Sequence, residues 1–412
     1  MNNRYIYYIV SFLFLLPVLS FGQLNQDLVQ YKESINQDSL KRNIEELQAF
    51  GSRYAFNPNH HSIALYLKNR LQEYGWETRI DSFYMENFLY PYHTNIINNA
   101  WEYNVVAEKR GLYAPDVFFI AGAHYDCFAS YDSTYFNNSP GADDNASGVA
   151  AILEIARLYQ KHNLTPTKTL RLELYGSEET GLSGSNDAMY KLNSRGEHIA
   201  AMMCLDMIGY SSDTNTIPTV KLIEYDNSVE FTNFCEQTTN NYTNLLPIRT
   251  TEYNQSSDSY CYYIGGITSI FLFEGEMCPF YHTSNDIMDK INFNYLKQTS
   301  QLAFDIAYLC SNTNSYYPVS IPQIKAQDYQ LTILQNPVKD KIKFTYNNSN
   351  SEKGRLVLIN NLGLQIINSP LSNYKISLEN YEINTQNLNP GVYILRIESS
   401  TKATSKKLVV IK

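Results

Sequence analysis

The sequence is poor in charge: only 18% of its 412 residues are Asp, Glu, Lys or Arg. It also lacks a basic excess, with 32 Lys and Arg against 41 Asp and Glu and a net charge of -9. A nucleic-acid binder would show a basic face, so this balance argues against that class. None of the six cysteines forms a Cys-x-x-C pair, which argues against a zinc site built from thiolates. No internal repeat or low-complexity tract is present, and beyond the first 22 residues no apolar run is long enough to span a bilayer. Core material, by contrast, is ample. Hydrophobic residues make up 44% of the chain, which suits two or three folded domains and excludes a wholly disordered chain. Tyr is abundant, at 35 residues.

The N-terminus has the layout of an export signal. Arg4 is the only charge before Asp27, and an apolar run from Ile6 to Leu19 ends in Ser20-Phe21-Gly22. A basic start, a short apolar stretch and a small exit residue predict a secretory signal peptide over 1–22, cleaved after Gly22. No Cys near the exit offers a lipid anchor. The expected mature protein is soluble and monomeric, without stable membrane insertion, and is secreted or held at the cell surface. All six cysteines fall in this mature part, so an oxidising compartment would permit up to three disulfides. Cys261 with Cys278 is the pairing expected first, and Cys204, inside an apolar run, is expected to be a buried free thiol.

The pattern changes near residue 320. Residues 23–315 alternate helical and strand-like segments, predicting an α/β domain around a mixed, largely parallel sheet flanked by helices. Expected helices are Ser39–Phe50, His60–Tyr74, Val149–Gln160 and Asn292–Leu309. Expected strands are Val117–Ala123, Leu170–Tyr175, Ile199–Met207 and Ile267–Phe273. Residues 316–327 read as a linker. Residues 328–412 carry short strands separated by turns such as Asn389-Pro390-Gly391, which predicts a small all-β sandwich.

Metal-ligand residue types collect where the predicted strands end. His124 and Asp126 close the first strand, and Asp143-Asp144-Asn145 opens the helix that follows. Glu178-Glu179 follows the second strand, Asp206 ends the third, and His282-Thr-Ser-Asn-Asp286 comes later. Each segment alone has an ordinary explanation as a helix cap or a solvated pair. Together they place imidazoles and carboxylates at the carboxyl ends of strands, where open α/β sheets build their sites. Nitrogen and oxygen ligands without thiolates suit zinc or a similar transition metal.

In order and spacing, Pro140-Gly-Ala-Asp-Asp-Asn-Ala-Ser-Gly148, Glu178-Glu179 before Thr-Gly-Leu, Leu205-Asp-Met-Ile-Gly209 and Tyr281-His-Thr-Ser-Asn-Asp286 resemble the M28 family of zinc aminopeptidases, the bacterial leucyl-aminopeptidase type. The resemblance runs from about Lys41 to Leu309. It implies two Zn2+ ions, one on His124 and Asp206, the other on Glu179 and His282, with Asp144 bridging both. It further implies Glu178 as general base toward a water held by the metals, Asp126 as the hydrogen-bond partner that orients His124, and a cis bond between Asp144 and Asn145. A hydroxide shared by the two metals would attack the scissile carbonyl of a peptide substrate. One departure stands out. Many relatives read Ser-Asp-His where this chain has Ser257-Asp258-Ser259, so activity is expected to survive with an altered pocket wall. Met207, Phe271, Phe273 and Tyr281 are candidates for an apolar substrate pocket or, equally, for the core.

The C-terminal module, from Leu334-Gln-Asn-Pro337 through Asn389-Pro-Gly391 to Lys406-Lys-Leu-Val-Val410, resembles the type A sorting domain of the type IX secretion system. That resemblance implies the type IX machinery as a partner. The leading reading is an exported di-zinc aminopeptidase acting on apolar N-terminal residues of peptides. The rivals are a one-zinc glutaminyl cyclase, another exopeptidase of the same family, and a non-catalytic peptide-binding surface protein.

Overall fold

The computed structural model describes residues 25–89, 97–129, 138–212, 217–312, 329–348, 354–360, 365–374, 380–398 and 403–411. The expected export signal and linker lie outside these residues. The chain divides into two compact units, Met1–Val319 and Ser320–Lys412.

The first unit opens with helices α1 (Gln26–Lys32), α2 (Gln37–Gln48) and α3 (His60–Glu73), then strands β1 (Glu77–Leu89), β2 (Ile97–Lys109) and β3 (Ala114–His124). It continues through α4 (Ala146–Lys161), β4 (Lys168–Tyr175), α5 (Ser183–Arg195), β5 (His198–Leu205), β6 (Thr219–Ile223) and α6 (Val229–Tyr242). It closes with β7 (Leu246–Thr250), α7 (Ser259–Ile264), β8 (Ser269–Glu274) and the long α8 (Phe293–Asn312). The eight strands form one sheet in the order β1-β2-β4-β3-β5-β8-β6-β7. The central four, β4, β3, β5 and β8, are mutually parallel, so their carboxyl ends share one edge. β2 runs antiparallel to β4, and β6 antiparallel to β8. The mixed, largely parallel sheet read from the sequence is therefore present.

Helix α4 shows why the sequence folds this way. Its residues Val149, Ile152, Leu153 and Ala156 recur at helical spacing and are fully buried with Leu40, Ile44 and Leu47 of α2 and Leu302 and Ile306 of α8. Burying a Leu or Ile side chain stabilises by about 1.5–3 kcal/mol, so this layer fixes α4 against the sheet. At its N-terminus the Asn145 side chain accepts from Gly148 N at 2.9 Å and donates to the Leu205 carbonyl at the end of β5, also at 2.9 Å. A Cβ on Gly148 would lie 2.4 Å from both Asn145 Oδ1 and the Leu205 carbonyl oxygen, so only glycine permits this approach. One asparagine thus caps the helix and ties the Asp144 segment to the strand that delivers Asp206.

The N-terminal helices belong to this unit. Leu28 of α1 is fully buried, Lys32 pairs with Asp305 of α8 at 3.4 Å, and Asn36 N donates to Glu154 of α4 at 3.1 Å. The antiparallel hairpin β1/β2 was not legible in the sequence, nor were β6, α6 and β7. The hairpin lies at the sheet's edge, where ionic residues alternate with apolar ones and Tyr84 and Trp101 stay exposed, so no apolar run marks it.

The disulfide expectation is corrected: none of the six cysteines is joined in a disulfide. Cys261 turns its Sγ toward the Leu182 carbonyl, 3.8 Å away, whereas Cys278 packs in the core beside Phe271 and Phe273. The two thiols serve different surroundings. Cys204 is a buried free thiol, as its apolar run suggested.

The second unit contains β9 (Tyr329–Ile333), β10 (Lys341–Asn348), β11 (Arg355–Asn360), β12 (Gln365–Pro370), β13 (Asn380–Asn384), β14 (Gly391–Glu398) and β15 (Ala403–Val410). They form a three-stranded sheet, β13-β10-β9, and a four-stranded sheet, β12-β11-β14-β15, with every pairing antiparallel. Phe344, Leu356, Leu358, Leu395 and Leu408 fill one core between them. This is the small all-β module that the short strands and turn signals imply, and its strands run antiparallel.

Candidate active site

Each central parallel strand passes its chain to a loop bearing acids or an imidazole. His124 is the last residue of β3, Glu178 and Glu179 follow β4, Asp206 follows β5 directly, and His282 lies in the loop after β8. Asp144 stands just before α4. The topology therefore brings together residues spread over about 160 positions of sequence at one edge of the sheet.

The seven predicted residues meet in one buried cluster. His124 Nε2 lies 3.2 Å from Asp206 Oδ1 and 3.3 Å from Asp144 Oδ1. His282 Nε2 lies 2.9 Å from Glu179 Oε2 and 3.1 Å from Asp144 Oδ2. Asp144 thus presents one carboxylate oxygen to each histidine. Glu178 stands beside this array, with ligand-type atoms of His124, Glu178 and Asp206 within 4.8 Å of one another. The peptide bond between Asp144 and Asn145 is cis.

The donor set fits a metal. His282 Nε2 makes no hydrogen bond, although carboxylate oxygens lie 2.9 and 3.1 Å away, and Glu179 Oε1 is likewise unpartnered. Buried polar atoms normally find hydrogen-bond partners. Imidazole nitrogens and carboxylate oxygens that converge at these distances have the arrangement of metal ligands, and a mixed nitrogen and oxygen donor set suits zinc. The charges agree. Burial pushes Glu179 up to about 7, reinforced by Asp144. Burial also raises Glu178 well above the usual carboxylate range, with Glu179, Asp258 and Asp206 adding to it against His124. Burial would lower His282, but Glu179 and Asp144 outweigh it and lift the imidazole to about 11. Without a cation the cluster is a surplus of buried negative charge.

Supporting groups set this geometry. The Asp126 carboxylate accepts from the backbone N–H of Glu178 at 3.0 Å and of Glu179 at 3.1 Å. It also lies 3.4 Å from His124 Nδ1, whose closer neighbour is the Asp126 carbonyl at 3.2 Å. Asp126 therefore orients the glutamate pair as much as the histidine. Ser257 Oγ donates to Asp206 Oδ2 at 2.7 Å, fixing that carboxylate. Asp258 is fully buried, and burial pushes it up to about 7. Ser259, in place of the histidine of many relatives, is buried, shares a 2.8 Å hydrogen bond with the Tyr225 hydroxyl, and is not among the residues lining the cleft. Sequence reasoning quoted Ser257 and Asp258 without giving them roles and missed Arg53, treated below. Neither a serine nor an arginine distant in sequence carries a recognisable signal.

A cleft opens over the cluster. Besides His124, Asp144, Glu178, Glu179 and Asp206, its lining includes Met207, Phe271, Phe273, Met277, Tyr253 and Tyr281. The four apolar residues singled out from sequence all face it. Tyr281 stacks on His282 with ring centroids 3.7 Å apart, and Phe128 meets the same imidazole edge-on at 5.2 Å.

Comparison with known proteins agrees with this picture. Residues 104–307 match peptidase family M28, and residues 333–412 match the secretion system C-terminal sorting domain. A probable leucine aminopeptidase of Trichophyton verrucosum is 26% identical over 275 residues, covering 65% of this chain and 69% of the relative. The fold is shared with a zinc aminopeptidase from Bacillus subtilis (TM-score 0.58, 16% identity, 68% of this chain and 96% of that one). It is also shared with a glutaminyl cyclase of Bacteroides thetaiotaomicron (TM-score 0.52, 20% identity, 66% and 97%). The chain thus carries a peptidase domain of family M28 followed by a secretion system C-terminal sorting domain.

Proposed function

We propose that the protein is an exported di-zinc aminopeptidase that removes apolar N-terminal residues from peptides. The observation that carries this reading is the doubled ligand set: His124 with Asp206, His282 with Glu179, and Asp144 offering one oxygen to each histidine. A one-zinc cyclase has no use for both sets. Zinc held by these residues would polarise the scissile carbonyl, activate the attacking water and stabilise the oxyanion.

The chain's own residues do the rest. Glu178 accepts the proton of the attacking water and returns it to the leaving amine nitrogen, a role open to it because Glu179, not Glu178, faces His282. Asp126 holds both glutamates through their backbone amides, so the base and the ligand turn in different directions from one rigid turn. The Tyr281 hydroxyl is held protonated by burial and by Asp144, Glu179, Glu178 and Asp206, which keeps it a donor toward the substrate carbonyl. The free α-amine of a peptide would be held at the metal site beside a carboxylate, which would account for exopeptidase action. Met207, Phe271, Phe273 and Met277 receive the first side chain.

The sorting domain points to secretion or the cell surface, with the type IX machinery as partner. Among the described residues no helix is long and apolar enough to cross a membrane. The test is hydrolysis of aminoacyl chromogenic substrates by the purified protein with and without zinc. Zinc-dependent release from Leu or Phe derivatives supports the reading. Ammonia released from a glutaminyl substrate, with its chromophore left attached and no release from Leu or Phe derivatives, would replace it with the cyclase.

A further inference from the structure

The segment carrying the bridging Asp144 is gripped from two sides by buried ionic side chains, neither of which is a ligand. Arg53 is fully buried, and its guanidinium donates to the Pro140 and Gly141 carbonyls at 2.7 Å each and to the Tyr125 carbonyl at 2.8 Å. Among the described residues no carboxylate lies within ion-pair distance of it; its work is on backbone carbonyls. Gly141 adopts φ +53°, and a Cβ there would lie 2.8 Å from Arg53 Nη2 and 2.4 Å from the Asp144 carbonyl oxygen, so the loop is pressed onto the guanidinium. Asp286 takes the opposite side. Its carbonyl accepts from Ala142 N at 3.0 Å, and its carboxylate accepts from Asp143 N at 2.9 Å and Asp144 N at 3.0 Å. Five consecutive residues, 140–144, thus have a backbone group fixed by one of two residues.

The two anchors lead to different ligands. Arg53 ties the loop to Tyr125, the residue after His124. Asp286 ties it to the loop that carries His282, four residues earlier. We infer, on the paired-zinc reading of the site, that Arg53 and Asp286 are positioning residues with divided labour: Arg53 sets the spacing of Asp144 from His124, and Asp286 sets its spacing from His282. Arg53 lies upstream of the matched family segment, at 104–307, so the N-terminal helical layer is part of the metal centre's framework.

The experiment titrates the chelator-stripped full mature chain with Zn2+ by calorimetry, and with Co2+ by its visible absorption, for wild type, R53K and D286N. R53K keeps the charge but loses the fork, and D286N is nearly isosteric but cannot accept two amides. Wild type should bind two ions. Each variant should keep one site at wild-type affinity and weaken the other by roughly ten- to a hundredfold, with kcat falling more than KM. Adding D286N to H282A should leave the remaining site unchanged, and adding it to H124A should weaken it; R53K should show the reverse. Two ions bound by both variants at wild-type affinity would overturn the inference, as would equal weakening of both sites. Should circular dichroism show D286N unfolded, D286E, which restores the carboxylate with a displaced reach, is read by the same criteria. A wild type that binds one ion fails at the earlier step, and refutes the paired site itself.

Discussion

Glu173 and Glu178 are both buried acids, one inside β4 and the other just beyond its end, and their surroundings could hardly differ more. Glu173 Oε2 accepts from the Tyr175 hydroxyl at 2.9 Å and from the Tyr262 hydroxyl, and Arg171 Nη1 lies 3.7 Å from its other oxygen. Arg171 in turn pairs with Glu108 at 2.9 Å and with Glu197 at 2.5 Å. Every charge there has a partner supplied by the protein. Around Glu178 the acids Glu179, Asp258 and Asp206 are opposed by the one imidazole of His124, and polar atoms of His282 and Glu179 have no hydrogen bond. Burying unpaired charge costs several kcal/mol per ion, a cost that a bound cation would offset. The first network is structural; the second has the donor set of a metal site.

Substitutions should separate the two most sharply. E178Q should lower kcat by on the order of a hundredfold or more while leaving zinc binding and the melting temperature near wild type. Assay and calorimetry on one preparation check this, and a variant that keeps its activity would remove Glu178 as the base. Chelation comes next. Zinc at a thousandfold excess over Kd stabilises by about 4 kcal/mol, so the stripped protein should lose activity and unfold at a clearly lower denaturant concentration. E173Q should do the opposite of E178Q. It should cost about 1–3 kcal/mol in denaturant unfolding, by weakening two tyrosine hydrogen bonds and an ion pair, with kcat within severalfold of wild type. If E173Q abolished catalysis without destabilising, the division drawn between the networks would fail.

The same contrast explains what the sequence discloses. The proposed ligand residues are legible because chemistry restricts them to His, Asp and Glu and most of them stand at or just after a strand end, a local rule. Helices such as α4 are legible because Val149, Ile152, Leu153 and Ala156 keep one spacing. Arg53 and Asp286 act on backbone groups brought near by folding, so nothing in their own neighbourhood of sequence marks the contact. Glu173 lies between Leu172 and Leu174 in the expected strand with nothing local to mark its burial, which Arg171, Tyr175 and Tyr262 together explain. The edge hairpin β1/β2 was missed for the related reason that an edge strand need not be apolar on both faces.

A smaller effect tests whether a fully partnered network also answers to pH. His60 is buried, with Nδ1 paired to Glu102 and Nε2 2.7 Å from the Arg53 carbonyl. Glu102 also accepts from Phe56 N at 3.2 Å, and the Tyr125 ring closes the other side at 6.2 Å. Burial alone would lower the imidazole, but the Glu102 hydrogen bond and charge, the Arg53 carbonyl and the nearby Asp126 outweigh it and raise it above 6.5. The folded protein therefore holds this proton more tightly than the unfolded chain. Its contribution is fully present below about pH 6.5 and is lost as the pH rises through the raised folded value, at about 1.4 kcal/mol for each unit of separation. Denaturant unfolding of the stripped protein at pH 6 and pH 9 should show that loss, and H60Q should flatten it. Because the Arg53 carbonyl is one of the two partners, H60Q should also weaken zinc slightly at the His124 side. A pH dependence unchanged in H60Q would place the titrating group elsewhere and leave the His60–Glu102 pair as neutral packing.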